Sequence, residues 1–197
     1  MKFLFDLGGV FFDWNPNHFF KDIFSDSVDL DYFLSRVCND EWNIQQDAGR
    51  SIKVAEGELI SKFPQYEEQI KLYYPNHRKM IKEVFSESID VLHELKKKNY
   101  ASYALSNWSA ETFVGMMDDY PFLKNFDGFL ISGEVNLVKP SPKIYELAML
   151  RFNLVSKETV FIDDKLENIR AAEKLGFNII HLINPKDIRK KIKEFLV

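Results

Sequence analysis

A chain of 197 residues with 46% hydrophobic and 15% aromatic content can bury a sizeable core, as one domain or as a core domain carrying an insertion. Its 26 basic and 30 acidic residues give a formal charge of −4, which excludes the basic footprint of a nucleic-acid-binding surface. The single cysteine, Cys38, excludes an intrachain disulfide, and no apolar run reaches the length of a transmembrane helix. Too few apolar residues precede Asp6 for a signal peptide, so the expectation is a soluble cytoplasmic protein without membrane or nucleic-acid partners.

The chain opens with Phe3-Leu4-Phe5 running straight into Asp6, and Gly8-Gly9 follow. This predicts a buried β-strand that ends in a turn, with Asp6 exposed where the strand stops. An irregular aromatic stretch continues from Phe11 to Pro16. Residues from about 16 to 85 show no convincing strand and read as helices punctuated by Gly49, Gly57, Pro64 and Pro75. Ile52, Ala55, Leu59, Ile60 and Phe63 share one helical stripe that Pro64 ends, and Tyr66, Ile70 and Tyr73 form another before Pro75.

From about Ser86 the pattern changes. An amphipathic helix over 88–98 precedes a short strand, Ala101 to Leu105, which stops at Ser106-Asn107. A helix over about 110–117 follows, then a strand at Phe129-Leu130-Ile131 ending at Ser132-Gly133. Ser141-Pro142 places a capping serine and a first-turn proline at the head of a helix reaching Phe152. Val160-Phe161-Ile162 runs into Asp163-Asp164, and a helix from about Leu166 closes at Gly176. A strand over 178–182 leads to a terminal helix. There Ile188, Ile192 and Phe195 interleave with Arg189, Lys190, Lys191 and Lys193, so the basic run is a solvated face.

Short apolar strands alternating with helices predict an α/β fold, a Rossmann-like, doubly wound and mostly parallel sheet covered on both faces. Its core comprises residues 1–15 and 86–197, and an all-helical module over 16–85 is inserted after the first strand.

In such a sheet, ligands bind outside the carboxyl ends of the strands. Three strand ends deliver polar groups there: Asp6, Ser106 with Asn107, and Asp163 with Asp164; Lys139 sits in the loop after a fourth strand. Each group has a bland reading as a turn former, helix cap, surface lysine or acidic helix start, and all would have to hold at once. Two unit charges about 4 Å apart interact by roughly 4 kcal/mol at an effective dielectric near 20, so several carboxylates in one crevice demand a cation. An all-oxygen donor set selects Mg²⁺ over zinc. A carboxylate screened by metal and lysine can attack phosphorus, with Ser106 and Asn107 donating to phosphate oxygens, which is covalent catalysis through an aspartyl-phosphate.

These residues together resemble the haloacid dehalogenase superfamily of hydrolases. Its four motifs appear in order: Asp6 in Phe-Asp-Leu-Gly-Gly-Val, Ser106 in Leu-Ser-Asn, Lys139 in Val-Lys-Pro-Ser-Pro-Lys, and Asp163-Asp164 in Phe-Ile-Asp-Asp-Lys. The helical module matches that family's cap. The resemblance implies that Asp6 is the nucleophile and a Mg²⁺ ligand, with the backbone carbonyl of Gly8 and Asp164 as further ligands. Asp163 would reach the metal directly or through water. Ser106 and Asn107 would hold the phosphoryl oxygens, Lys139 would orient and screen Asp6, and Trp14 would belong to the mobile loop under the cap. Asn168 either braces the metal site or occupies a solvated helix position.

One position departs from the pattern. Most phosphatases of the superfamily carry a second aspartate, the general acid and base, two residues after the nucleophile; here that position is Gly8. Losing a general acid costs about 10²- to 10⁴-fold in rate. Asp13 could substitute, although capping the next segment is its simpler role. The chain looks most like small helical-capped phosphatases acting on hexose phosphates, so a small phosphorylated metabolite is the expected partner. The alternatives are a metal-free 2-haloacid dehalogenase, whose first motif also lacks the second aspartate, and a catalytically weak binding or regulatory module that keeps the fold. His18, His77, His93 and His181 lack metal-ligand spacing.

Overall fold

The computed structural model describes residues 1–196. Five parallel strands form the main sheet: β1 (Lys2–Phe5), β4 (Ser102–Ser106), β5 (Gly128–Ile131), β6 (Thr159–Asp163) and β7 (Asn178–His181). Their spatial order is β5-β4-β1-β6-β7. The chain winds outward from β1 on one side and then crosses back to build the other, which makes the carboxyl end of β1 the switch point. β2 (Phe12–Trp14) and β3 (Ile81–Val84) pair separately as an antiparallel ribbon.

Strand alternation divides the core into two layers. Phe3, Phe5, Ala104, Val160 and Ile162 pack on one face with Val91, Leu92 and Leu95 from the helix Ser86–Lys97. Leu4, Leu105, Leu130 and Phe161 pack on the other with Ile144, Tyr145 and Ala148 from the helix Pro142–Phe152, and with Ile169 and Ala172 from Leu166–Lys174. Covering both faces is why the strands are apolar throughout instead of alternating with polar residues.

The helices that follow β2 bury a third cluster of their own, including Phe20, Phe33, Trp42, Ala55, Ile70 and Tyr73. Aromatic rings fill it, with Phe20 4.9 Å from Phe33 and 5.8 Å from Tyr73 between centroids. We propose this separately cored segment as the cap, with its second boundary at Met80 instead of residue 85.

That shift comes from β3, where the expectation of no strand before residue 85 fails. Phe12 lies opposite Val84, and Asp13 opposite Glu83. Ile81 and Val84 are half-buried against the core while Lys82 and Glu83 are exposed. Four residues are too few to display a period, and the partner strand lies far back in the sequence. Two local readings also change. The helix expected over 110–117 is two short turns, Ala110–Phe113 and Met116–Asp119, broken at Gly115 with φ +81°. Ser141 holds the expected place before Pro142, yet its side chain makes no capping bond. Among the described residues, no helix is long and apolar enough to cross a membrane.

Leu4 is fully buried at the centre of the second layer. Leu4→Ala is expected to cost about 2–5 kcal/mol, read as a lower urea midpoint with an unchanged m-value.

Candidate active site

Parallel register does most of the assembly. Phe5 lies opposite Ala104 on one side and Ile162 on the other, so Asp6 and Asp163 leave their strands side by side, and Ser106 ends β4 one residue further along. The Asp6 N–H donates to the Ile162 carbonyl at 2.8 Å, which seats Asp6 beside Asp163. Its Oδ1 accepts from the Leu7 N–H at 2.7 Å and from the Ser106 hydroxyl at 2.8 Å. Lys139 Nζ stands 2.9 Å from the same oxygen. Among the described residues, no hydrogen bond reaches Oδ2.

Lys139 is buried and spans two strand ends. Besides Asp6 it donates to Asp163 Oδ2 at 2.7 Å. Its backbone is held by Asn107, whose Nδ2 donates to the Lys139 carbonyl at 2.9 Å and whose Oδ1 accepts the Lys139 N–H at 2.8 Å. Asn107 therefore braces the lysine loop and keeps one N–H for a ligand. Asp163 is fully enclosed, with Oδ1 accepting the Lys165 N–H at 2.8 Å and both oxygens 3.0 Å from Asn168 Nδ2. Of the two places open to Asn168, the structure has the buried one, clamping Asp163.

The charge balance is uneven. Asp6, Asp163 and Asp164 each offer an oxygen within 4.8 Å of the others, against one ammonium. Burial pushes the Asp6 pKa above its ordinary value; Lys139 opposes this, and Asp163 and Asp164 add to it. Burial and then Asp163 likewise raise Asp164. For Lys139, burial favours the neutral amine, but Asp163 and Asp6 outweigh it and hold the pKa above the ordinary lysine value. Hard oxygen donors with surplus negative charge fit a divalent cation such as Mg²⁺.

These groups open onto a cavity of about 540 Å³. Asp6, Gly8, Ser106, Lys139 and Asp164 line its floor, and Asp163 lies behind it. The opposite wall was not foreseen from sequence. It comprises Asn43, Ile44 and Asp47 from the helix Asp40–Asp47, with His77 between Trp14 and Trp108. The His77 ring lies 5.6 Å from Trp14 and 5.4 Å from Trp108 between centroids, and burial lowers its pKa to about 3, so it is neutral. Asp13 is elsewhere: it lies in β2, 3.1 Å from His18 Nε2, and Asn15 instead caps the following turn by accepting the Asn17 N–H.

A family model described as haloacid dehalogenase-like hydrolase matches residues 4–182. The chain belongs to that family. Within it, a sesquiterpene phosphatase of Aspergillus oryzae is 28% identical over 190 residues, covering 91% of this chain and 88% of that one. A HAD-like family hydrolase of Porphyromonas gingivalis superposes with a TM-score of 0.74 at 22% identity, covering 100% of this chain and 98% of that one. A HAD family enzyme of Bacteroides thetaiotaomicron, solved with magnesium and inorganic phosphate, gives a TM-score of 0.69 at 22% identity, covering 91% of this chain and 92% of that one. At these identities the two structures share the fold, and the protein is a haloacid dehalogenase-like hydrolase with a Rossmann-like α/β core.

The two glycines after Asp6 have different constraints. Gly9 sits at φ +67°, and a Cβ there would overlap the Asp164 carboxylate; a Cβ on Gly8 would meet nothing within 4 Å. Gly9→Ala is expected to cost about 1–3 kcal/mol in urea unfolding, and Gly8→Ala less than about 0.5 kcal/mol. Equal costs would contradict this division.

Proposed function

We propose that the protein is a Mg²⁺-dependent phosphatase that hydrolyses a small phosphomonoester, with a sugar phosphate as the substrate class, through an aspartyl-phosphate on Asp6. The observation carrying this reading is the polarisation of Asp6: three donors fix Oδ1, and none meets Oδ2 among the described residues. A carboxylate held so rigidly presents one oxygen to phosphorus at little entropic cost.

Asp6, Asp164 and the Gly8 carbonyl would hold the metal. Asp163, with both oxygens already accepting hydrogen bonds, would act through water and through Lys139. When bound, Mg²⁺ supplies the positive charge that lets a phosphoryl dianion approach a carboxylate. The free N–H of Asn107 would receive a phosphoryl oxygen, and the Ser106 hydroxyl would do the same by turning from Asp6 Oδ1. Lys139 screens the attacking carboxylate and stabilises charge as the phosphoryl group transfers. The faces of Trp14 and Trp108, with Asn43 nearby, suit the C–H and hydroxyl groups of a sugar. The sesquiterpene phosphatase supports phosphatase chemistry, and the Bacteroides enzyme with magnesium and phosphate supports the cation. A metal-free dehalogenase would leave three carboxylates facing one lysine, which weighs against that alternative.

A panel of phosphomonoesters assayed with Mg²⁺ tests the reading. Turnover is expected on sugar phosphates, lost in EDTA, and lower by at least about 10³-fold in Asp6→Asn. Halide release from 2-haloacids, or turnover insensitive to EDTA, would refute it.

Cation binding is also open to calorimetry. Asp6 binds its proton more tightly folded than unfolded, so without cation it favours folding as pH falls through its raised pKa, levelling off below 3.8. A cation needs the ionised form. The Tm rise caused by Mg²⁺ should therefore be larger at pH 8 than at pH 5, and smaller in Asp164→Asn. A shift indifferent to both would place the cation elsewhere.

A further inference from the structure

The position where a second aspartate would stand is occupied by Gly8, and the space above it is open. We propose that Asp47, delivered by the cap, supplies the general acid and base that the core lacks. This rests on the phosphatase reading above.

Four observations point to Asp47. It lines the same cavity as Asp6 and Gly8, from the helix Asp40–Asp47 and not from the sheet edge. It is absent from the cluster of Asp6, Asp163 and Asp164, whose oxygens lie within 4.8 Å of one another, so it stands apart from the metal-ligand set. It is also the last residue of the helix Asp40–Asp47, where the helix dipole disfavours a carboxylate, and its side chain is placed by Asn43, whose Nδ2 lies 3.4 Å from Oδ2, and by the Ser109 backbone. And its backbone is pinned to the core. The Ser132 hydroxyl donates to the Asp47 carbonyl at 2.6 Å and accepts the Trp108 N–H at 2.9 Å, two residues beyond Ser106. Gly49, at φ +96°, lets Asn136 approach where a Cβ would collide, so this corner of the cap sits close on the core.

The electrostatics agree with the geometry. Burial pushes the Asp47 pKa up to about 7; Lys165 and the Ser109 backbone oppose the rise, and Asp6 and Asp40 add to it. Lys165 faces it from the loop after β6, Asp6 from the end of β1, and Asp40 from its own helix. A carboxyl group tuned near neutral pH serves as either acid or base.

In the first step an Asp6 oxygen bonds to phosphorus while the bond from phosphorus to the leaving oxygen breaks. That oxygen takes the Asp47 proton and departs as an alcohol. In the second, the Asp47 carboxylate takes a proton from water as the water oxygen attacks phosphorus. Inorganic phosphate leaves, Asp6 is a carboxylate again and Asp47 is protonated.

The test compares two esters in the presence of Mg²⁺: glucose 6-phosphate, with an alkoxide leaving group, and p-nitrophenyl phosphate, whose leaving group needs no proton. In Asp47→Asn, turnover of glucose 6-phosphate should fall about 10²- to 10⁴-fold, and the first-step burst of nitrophenolate less than about tenfold. Steady-state nitrophenolate release should then slow behind that burst, because the base for the second step is also gone. Gly8→Asp in the Asp47→Asn background should recover at least about tenfold of the glucose 6-phosphate activity. A nitrophenolate burst that falls as far as glucose 6-phosphate turnover, or no loss on either ester, overturns the assignment of Asp47. Wild-type protein that hydrolyses neither ester overturns the phosphatase reading itself, and the acid role with it.

Discussion

A buried ammonium between two carboxylates organises this site. Lys139 Nζ lies 2.7 Å from Asp163 and 2.9 Å from Asp6, out of water. Losing one partner of such a group costs about 3–5 kcal/mol, because the remaining charges stay buried and uncompensated. The arrangement is therefore tolerable only if every member is held in place. β1 and β6 hold the carboxylates through their register, Asn107 holds the lysine backbone, and Asn168 holds Asp163. Even so, one cation serves three acids, and the surplus keeps Asp6 and Asp164 above the usual carboxylate range. The same surplus would favour a divalent ion at this edge.

The floor of the site was legible in the sequence because its physics is local. A parallel strand covered on both faces must be apolar throughout, so the first polar residue after Phe3-Leu4-Phe5 or Val160-Phe161-Ile162 marks the carboxyl edge. Asp6, Ser106 and Asp163 stand out for that reason. Lys139 has no such strand signal; the loop after the fourth strand gave its place, and its role as the lysine beside Asp6 came through the family motif. The second role of Asn107, bracing Lys139, depends on a loop more than thirty residues away and leaves no trace in its neighbours.

The wall was not legible. Asp47 and His77 belong to helical segments whose periodicity reports which face is buried and says nothing about what that face meets. Asp47 follows buried Gln46 in a weakly patterned helix, and its meaning comes from Ser132, which touches it from the far end of β5. β3 was missed on the same grounds, since Ile81–Val84 is a strand only because Phe12–Trp14 lies alongside. Asp13, expected as the cap of the next segment, instead faces His18 from β2, and Asn15 takes the capping place.

Two carboxyl groups in one cavity can take opposite roles only if their surroundings separate their proton affinities. Here the separation comes from position. On the proposed phosphatase reading, a cation held by Asp6 and Asp164 would draw down the pKa of the groups that touch it and leave Asp6 ionised for attack. Asp47 stands outside that cluster, so the cation acts on it across a longer distance, while burial in the cap keeps its proton affinity high. Division of labour between core and cap follows. On the proposal made above, the sheet edge would supply charge and a fixed nucleophile, and the seam through Ser132 and Trp108 would bring the proton carrier to it. If Asp47 is the acid, its position depends on the contacts of Ser132 and Trp108 with this segment, so proton transfer would require that seam to be intact.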